Sequence, residues 1–390
     1  MALNPTGRID MGADDEELAI FRESVKRFLR ESIEPHYARW EREELMPREA
    51  WRTLGAAGLL CTDIPESWGG PGAGFRFSVV VQEEFARAGF LSLACAMAVH
   101  SDIVAHYLLN HGTAEQKQRY LPRMVAGECV GAIAMTEPGA GSDLQSIRAT
   151  ARPEGEGWVI NGQKTFITNG YHADLVITAA KTDTAAPGSR GISLLLVDRG
   201  TPGFGCGRRL EKAGLHVVDT AELFYEDVRV GRDALLGELN RGFALLMTEL
   251  PRERLVLAIG GAAHARGALD LAVAYVRERK AFGKPLSELQ NTRFRLAELQ
   301  AETVVHEAFL QSCIERLMRG ALDTATASIA KLQCTELEGR VADGCLQFFG
   351  GYGYMREYPI SRFFLDARVQ RIYGGASEVM KELIARDLLK

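Results

Sequence analysis

Trp158-Val-Ile-Asn161-Gly162-Gln-Lys-Thr-Phe166-Ile167 marks the point where the chain changes character. Its β-branched and aromatic residues fall in two short runs, and the Asn-Gly between them is the dipeptide a type I′ turn prefers, so the stretch predicts a β-hairpin. Strand-like runs surround it at Gly131 to Thr136, Ser146 to Ala151, Leu175 to Lys181, Ile192 to Val197 and Glu222 to Val230. Short strands with turn signals and no helix between them predict an antiparallel sandwich or barrel between about Cys129 and Glu238.

On both sides of this region the apolar spacing is helical. Upstream, Leu18, Phe21, Val25, Phe28 and Leu29 follow a helical repeat behind the acidic run Asp14, Asp15, Glu16, Glu17, which suits a helix N-terminus. Further helical runs cover Arg48 to Leu60, Phe77 to Ala88 and Ala94 to Asn110. Gly69, Gly70, Pro71, Gly72 and Gly74 follow Trp68 rather than an apolar strand, which fails the context of a dinucleotide fingerprint and reads as a surface loop. Downstream, four helices around 242–281, 288–319, 323–349 and 361–390 predict a bundle, with Asp323 as a cap and His306 as a satisfied histidine in an apolar stripe. The expected fold class is α+β multidomain: a helical N-terminal domain over 1–128, a β-domain over 129–238 and a C-terminal four-helix bundle over 239–390.

Composition narrows the function. Of 390 residues, 46% are hydrophobic and 25% charged, a globular balance that leaves no case for disordered, collagen-like or membrane-spanning classes. A formal net charge of −5 supplies no basic field for nucleic acid. The 7 cysteines are scattered without a C-x-x-C pair, so neither a disulfide framework nor a metal site is expected. With no apolar signal core or Arg/Ser-rich leader at the N-terminus, the expected location is cytoplasmic. The 40 glycines exceed the usual share of about 7%, which means tight turns, close helix contacts, or backbone pressed against a ligand.

Four segments carry chemistry. Ala134-Met-Thr136-Glu-Pro-Gly139-Ala-Gly141-Ser142-Asp143 leaves a strand as a small-residue loop whose N–H groups and hydroxyls can lie on a phosphate or a polar ring edge, or merely end the strand. Phe166 and Thr168 share one side of a strand, an arrangement that suits a planar heterocycle or a core. Arg277, Arg279, Lys280, Phe282, Gly283 and Lys284 end a long helix, where cations complement the dipole or hold a pyrophosphate. Gln347-Phe-Phe-Gly350-Gly351-Tyr-Gly353-Tyr354 ends another as an ordinary glycine cap.

Taken together, these segments make the chain resemble the acyl-CoA dehydrogenase family from about residue 14 to the C-terminus, most closely its long-chain branch. That closer likeness rests on Leu250-Pro-Arg-Glu253-Arg254-Leu and on Ile372-Tyr373-Gly374-Gly-Ala-Ser377-Glu378-Val-Met. The resemblance implies non-covalent FAD, an acyl-CoA substrate, electron-transfer flavoprotein as acceptor and a homotetramer. Position by position, it assigns Met135, Thr136, Gly141, Ser142, Phe166 and Thr168, with Ile133 and Ile167 beside them, to one end of FAD. Arg279, Phe282, Gln290, Gln347, Gly350 and Gly351 would reach the FAD of a neighbouring subunit, and Ser377 with Glu378 would complete the site. Ser142, Arg254, Tyr373 and Gly374 would meet substrate.

Forming a C2=C3 double bond in a thioester needs a carboxylate to take the C2 proton. Many relatives carry that glutamate directly after the tyrosine of the C-terminal motif, where this chain has Gly374. The resemblance then assigns the role to Glu253, which some branches supply from the helix opening the bundle. From the residues alone, Glu253 follows Pro251 and reads as a first-turn acid complementing the helix dipole. Glu357 is the rival carboxylate. The expected activity is FAD-dependent α,β-dehydrogenation of a medium- or long-chain acyl-CoA. Alternatives are a branched-chain (isovaleryl-like or terpenoid) acyl-CoA dehydrogenase, an oxidase or monooxygenase on the same fold, and a non-catalytic CoA- or FAD-binding homologue.

Overall fold

The computed structural model describes residues 16–390. Asp14 and Asp15 of the acidic run lie outside them; Glu16 and Glu17 open the first helix, as an acidic first turn favours. The helical part comprises α1 (Glu16–Phe28), α2 (Glu34–Glu43), α3 (Arg48–Ala56), α4 (Phe75–Arg87), α5 (Leu91–Met97), α6 (Ala105–His111) and α7 (Ala114–Val125). Two π-helical segments, Leu29–Ile33 and Ala98–Val104, join α1 to α2 and α5 to α6. The loop at Gly69 to Gly74 is exposed and free of regular structure, as expected.

Next come β1 (Gly131–Ala134), β2 (Thr150–Glu154), β3 (Gly157–Thr168), β4 (Leu175–Lys181), β5 (Ile192–Asp198), β6 (Phe204–Arg209), β7 (Thr220–Val230) and β8 (Leu235–Leu236). They form one eight-stranded sheet in the order β6-β7-β3-β2-β4-β5-β8, with β1 added against β4. The sheet is mixed rather than purely antiparallel, because β1 and β2 both run parallel to β4.

The hairpin expected at Asn161-Gly162 is absent. Strand β3 runs straight through this dipeptide and pairs with β7 on both sides of a bulge. Two side-chain bonds explain it: Asn161 Nδ2 donates to Asp227 Oδ1 and its Oδ1 accepts from Asp227 N, both at 3.0 Å. Gly162 is needed for close approach, since a β-carbon there would lie 2.7 Å from Ala149 Cβ. The true turn is Gly155-Glu156, between the paired residues Glu154 and Gly157, with Gly155 at φ +57°.

The bundle contains α8 (Gly242–Glu278), a small hairpin of β9 (Lys280–Ala281) and β10 (Lys284–Pro285), α9 (Gln290–Met318), α10 (Thr324–Phe349), α11 (Pro359–Gln370) and α12 (Ser377–Leu388). Asp323 caps α10 by accepting from Thr326 N at 2.7 Å. His306 is half-buried and donates from Nδ1 to Glu302 O at 2.7 Å. The expected fourth helix is two, broken over 371–376, where Gly374 and Gly375 both take positive φ. Leu91–His111 and Gly242–Glu278 are long and apolar enough to cross a membrane, yet 94% and 83% of their apolar windows are buried inside the protein, as befits core helices. Every cysteine is free, and all but Cys206 are buried.

Candidate functional site

Helix α8 carries the first group of candidates. Pro251 does not begin a helix but lies inside this 37-residue one, so Glu253 is a mid-helix residue and no dipole at a first turn accounts for it. Glu253 is 4% exposed. Burial pushes its carboxyl up to about 7 and the neighbouring Glu249 adds to the rise, while a hydrogen bond from Tyr107 and the charge of Arg254 oppose it. Tyr107 Oη donates to Glu253 Oε1 at 2.8 Å. Arg254 is buried beside it, donating from Nη1 to Ser328 Oγ at 3.3 Å while its Nε lacks a partner.

The break between α11 and α12 lies against the same helix face. A β-carbon at Gly374 would sit 2.2 Å from Cδ1 of Leu257, one turn beyond Glu253. Buried Lys331 of α10 holds the break by donating from Nζ to Gly375 O at 2.7 Å, and desolvation brings its amine down to about 8. Tyr373 shares a hydrogen bond with the Cys95 thiol of α5. Ser377 is buried with its hydroxyl committed to Glu336 Oε1 at 2.8 Å, and Glu378 is exposed beside it. Arg254, Tyr373 and Gly374 therefore gather around Glu253 and α8, whereas Glu357 lies in the exposed turn before α11.

The β-domain supplies the second group. The loop from Met135 to Asp143 is fastened to β3 beneath it: Lys164 Nζ donates to Glu137 Oε1 at 2.8 Å and to Met135 O at 3.1 Å, and Thr165 N donates to Thr136 O at 3.0 Å. Glu137 also accepts from the Arg148 and Ala149 amides. These bonds set Met135 and Thr136 against Lys164 and Thr165, on the strand that carries Phe166 and Thr168, with Gly141 and Ser142 farther along the same loop. Phe166 is 68% exposed and held at φ +59° in a bulge of β3, a strained backbone for an aromatic residue. The side chain of Ile167 turns the other way, into the sheet core, so only its backbone is left on the Phe166 side; Ile133 is half-buried. Helix α5 links the two groups, since Cys95 meets Tyr373 and the next carbonyl, Ala96 O, accepts from Asn169 Nδ2 at 2.9 Å.

The third group sits at the far end of α8. Arg279, Gln347, Gly350 and Gly351 line a cavity of about 440 Å³ with Tyr275 and Tyr352, and the Arg279 guanidinium lies 5.6 Å from the Tyr352 ring centroid. Phe282 is 93% exposed at the tip of the β9–β10 hairpin, and exposed Gln290 opens α9. Among the described residues, no hydrogen bond or ion pair joins this group to the other two.

A dinucleotide with a planar ring fits these surfaces. A β-carbon at Gly139, Gly141 or Gly351 would meet nothing within 4 Å, so their own chain gives no packing reason for glycine and their backbones are open to a ligand; Gly350 is as open, but its φ of +57° already favours glycine. Phe166 and Phe282 are exposed aromatics, and Arg279 is a cation suited to phosphate. Sequence reasoning did not find Tyr107, Leu257, Lys331 or the Lys164–Glu137 pair. Lys331, set between Ala330 and Leu332 in an apolar run, was the one visible signal of a buried lysine.

Sequence profiles of the acyl-CoA dehydrogenase N-terminal, middle and C-terminal domains match residues 15–128, 132–228 and 240–389. The chain is 47% identical over 371 residues to the mitochondrial long-chain specific acyl-CoA dehydrogenase of Sus scrofa, covering 95% of this chain and 86% of that one. The crystal structure of an acyl-CoA dehydrogenase from Geobacillus kaustophilus superposes with a TM-score of 0.94 at 48% identity, covering 96% and 98% of the two chains. A glutaryl-CoA dehydrogenase from Mycobacterium smegmatis, solved in complex with FADH2, does so with a TM-score of 0.90 at 28% identity, over 96% and 95%. The three profile matches span nearly the whole chain in the order of its helical, β and helical parts, and the chain therefore belongs to the acyl-CoA dehydrogenase family of FAD-dependent oxidoreductases.

Proposed function

We propose that the protein dehydrogenates long-chain acyl-CoA thioesters to trans-2-enoyl-CoA, with Glu253 as the base that removes the C2 proton. Bound FAD would supply the hydride acceptor for the hydrogen lost from C3, so two hydrogens and one electron pair leave the substrate. Electrons then pass to electron-transfer flavoprotein. The observation that carries this reading is Glu253 itself. It is a buried carboxyl on a rigid helix, with one hydrogen bond to a neutral phenol, and burial poises it near neutral pH, where a general base works best. The long-chain assignment is supported by the 47% identity to the porcine enzyme.

Met135, Thr136, Gly141, Ser142, Phe166 and Thr168 would cradle one end of FAD, with Ile133 at the edge and the Ile167 backbone beside them. Arg279, Phe282, Gln290, Gln347, Gly350 and Gly351 are assigned to the FAD of a neighbouring subunit of a homotetramer, which accords with their separation from the first cradle within one chain. Ser377 helps by holding the start of α12 through Glu336. Tyr373, Gly374, Arg254 and Ser142 would flank the substrate.

The test is anaerobic bleaching of the flavin by acyl-CoAs of graded length. Glu253→Gln is expected to lose at least a thousandfold in reduction rate while keeping its yellow colour. Full-rate reduction by that variant overturns the assignment.

A further inference from the structure

Helix α8 presents two carboxylates, Glu249 and Glu253, one turn apart on the same face, and α6 meets both. Asn110 Nδ2 reaches Glu249 Oε1 at 3.0 Å and Oε2 at 3.2 Å, and His111 Nε2 lies 2.8 Å from Glu249 Oε1. Glu253 receives only Tyr107, on Oε1, and among the described residues no hydrogen bond reaches its Oε2. The seam thus treats two neighbouring acids differently. One is tied on both oxygens; the other is steadied on one and left with a free lone-pair face.

We propose that Tyr107 is the positioning residue of the base, fixing Oε1 of Glu253 so that Oε2 is the atom offered to substrate, and that Glu249 is the electrostatic counterweight that keeps this base proton-hungry. The proposal rests on the reading of Glu253 as base. Like charges at i, i+4 on a helix disfavour each other, so Glu249 raises the proton affinity of Glu253; a donor to the carboxylate lowers it. A buried phenol needs a partner in any case, and a purely structural bond would satisfy that need. The surroundings argue for more. Tyr107 is 0% exposed and follows the π-helical segment Ala98–Val104, a feature concentrated at functional sites. That segment is itself pinned to α8, as Arg252 Nε donates to Asp102 O at 3.3 Å and Arg252 Nη2 lies 3.5 Å from Asp102 Oδ1. Successive residues of α8, Arg252 and Glu253, are therefore registered against the π-helical segment and against α6, two consecutive parts of the continuous helical run Leu91–His111. The charged or titratable groups facing Glu253 are Tyr107 from α6 and Glu249 and Arg254 from α8, with Lys331 of α10 beyond Arg254.

The experiment reads proton affinity in two ways on the FAD-loaded protein. An infrared titration follows the protonated carboxyl band that disappears in Glu253→Gln. Single-turnover flavin reduction by a saturating long-chain acyl-CoA gives the acidic limb of the rate. Tyr107→Phe is expected to move both midpoints up by about one pH unit, as loss of a hydrogen bond to a charged group implies. Glu249→Gln is expected to move both down. Should Tyr107→Phe fail to fold, 3,5-difluorotyrosine at 107, a stronger donor of nearly the same shape, moves them down. Opposite shifts from the two sides of the seam cannot arise from general loosening. Midpoints unchanged by these substitutions, with Glu253→Gln still inactive, overturn the proposal and leave the base reading intact. Full-rate reduction by Glu253→Gln overturns the base reading instead.

Discussion

Leu257 covers Gly374: a β-carbon added to that glycine would lie 2.2 Å from the leucine Cδ1, and the leucine is one helical turn from Glu253. The helix that carries the proposed base and the break before α12 thus converge on one spot, and a side chain from the helix already fills it.

Moving the base is therefore expected to need three changes. Glu253→Gly with Gly374→Glu stays inactive, because the new side chain meets Leu257 and the left-handed backbone at φ +60° penalises a glutamate by about 1–2 kcal/mol. Adding Leu257→Ala opens the space, and measurable flavin bleaching is expected to return. Bleaching by the double variant equal to that of the triple would refute the steric account.

Glu253 is expected to make the fold less stable as pH rises. Its folded value of about 7 lies above the ordinary 4.5, so the folded state holds a proton that the unfolded state releases. The resulting stability is complete below pH 4.5 and is lost as pH climbs through 7. Glu253→Gln, neutral at every pH, should gain about 1–3 kcal/mol over wild type at pH 8 and little at pH 5. Thermal denaturation at the two pH values checks this, and an equal effect at both refutes it.

Lys164 and Glu137 predict a coupled pair beneath the Met135–Asp143 loop. Lys164→Met leaves a buried carboxylate unpaired and is expected to cost about 3–5 kcal/mol, with loss of bound FAD. Glu137→Gln in the same chain removes the unpaired charge but leaves an acceptor for only one of the Arg148 and Ala149 amides, which bond to different oxygens, so it should restore part of that stability. A double-mutant cycle from urea denaturation measures the coupling; additive effects would show that the pair is not a unit.

Phe166 predicts a substitution that separates stability from ligand binding. An exposed phenylalanine at φ +59° contributes little burial and some strain, and asparagine tolerates that backbone. Phe166→Asn is expected to leave the FAD-free protein as stable as wild type or up to about 1 kcal/mol more so, while FAD dissociates faster. A fall in the stability of the FAD-free protein would show that the ring packs rather than binds.

What could be read from the sequence was local, and what could not was set by distant partners. The helical spacing of Leu18 to Leu29 and the Asp323 cap depend on near neighbours and appear in the structure as expected. Asn161 failed as a turn signal because Asp227, far along the chain, uses its side chain across the sheet. Strand β6 escaped notice because the glycines of Phe204-Gly-Cys-Gly interrupt any alternation. Gly374 and Gly375 mark the break between α11 and α12, although the apolar spacing on both sides of them is helical and predicts one continuous helix. Within the candidate site, Glu253 is singled out by resemblance, while Tyr107 and Leu257 look like ordinary core residues until the folded chain sets one against the carboxyl and the other against Gly374.

The proposed base, Glu253, sits on the middle of a long helix, and that has a consequence for divergence. Helix α8 is anchored along its length by the core, so the reacting group keeps its place whatever happens at the break over 371–376. With the base assigned to Glu253, that glycine-bearing turn has no part in proton transfer and is free to change shape. Natural variation there leaves the proposed base untouched, and comparisons among close relatives should find the turn drifting while Glu253 and its phenol stay put.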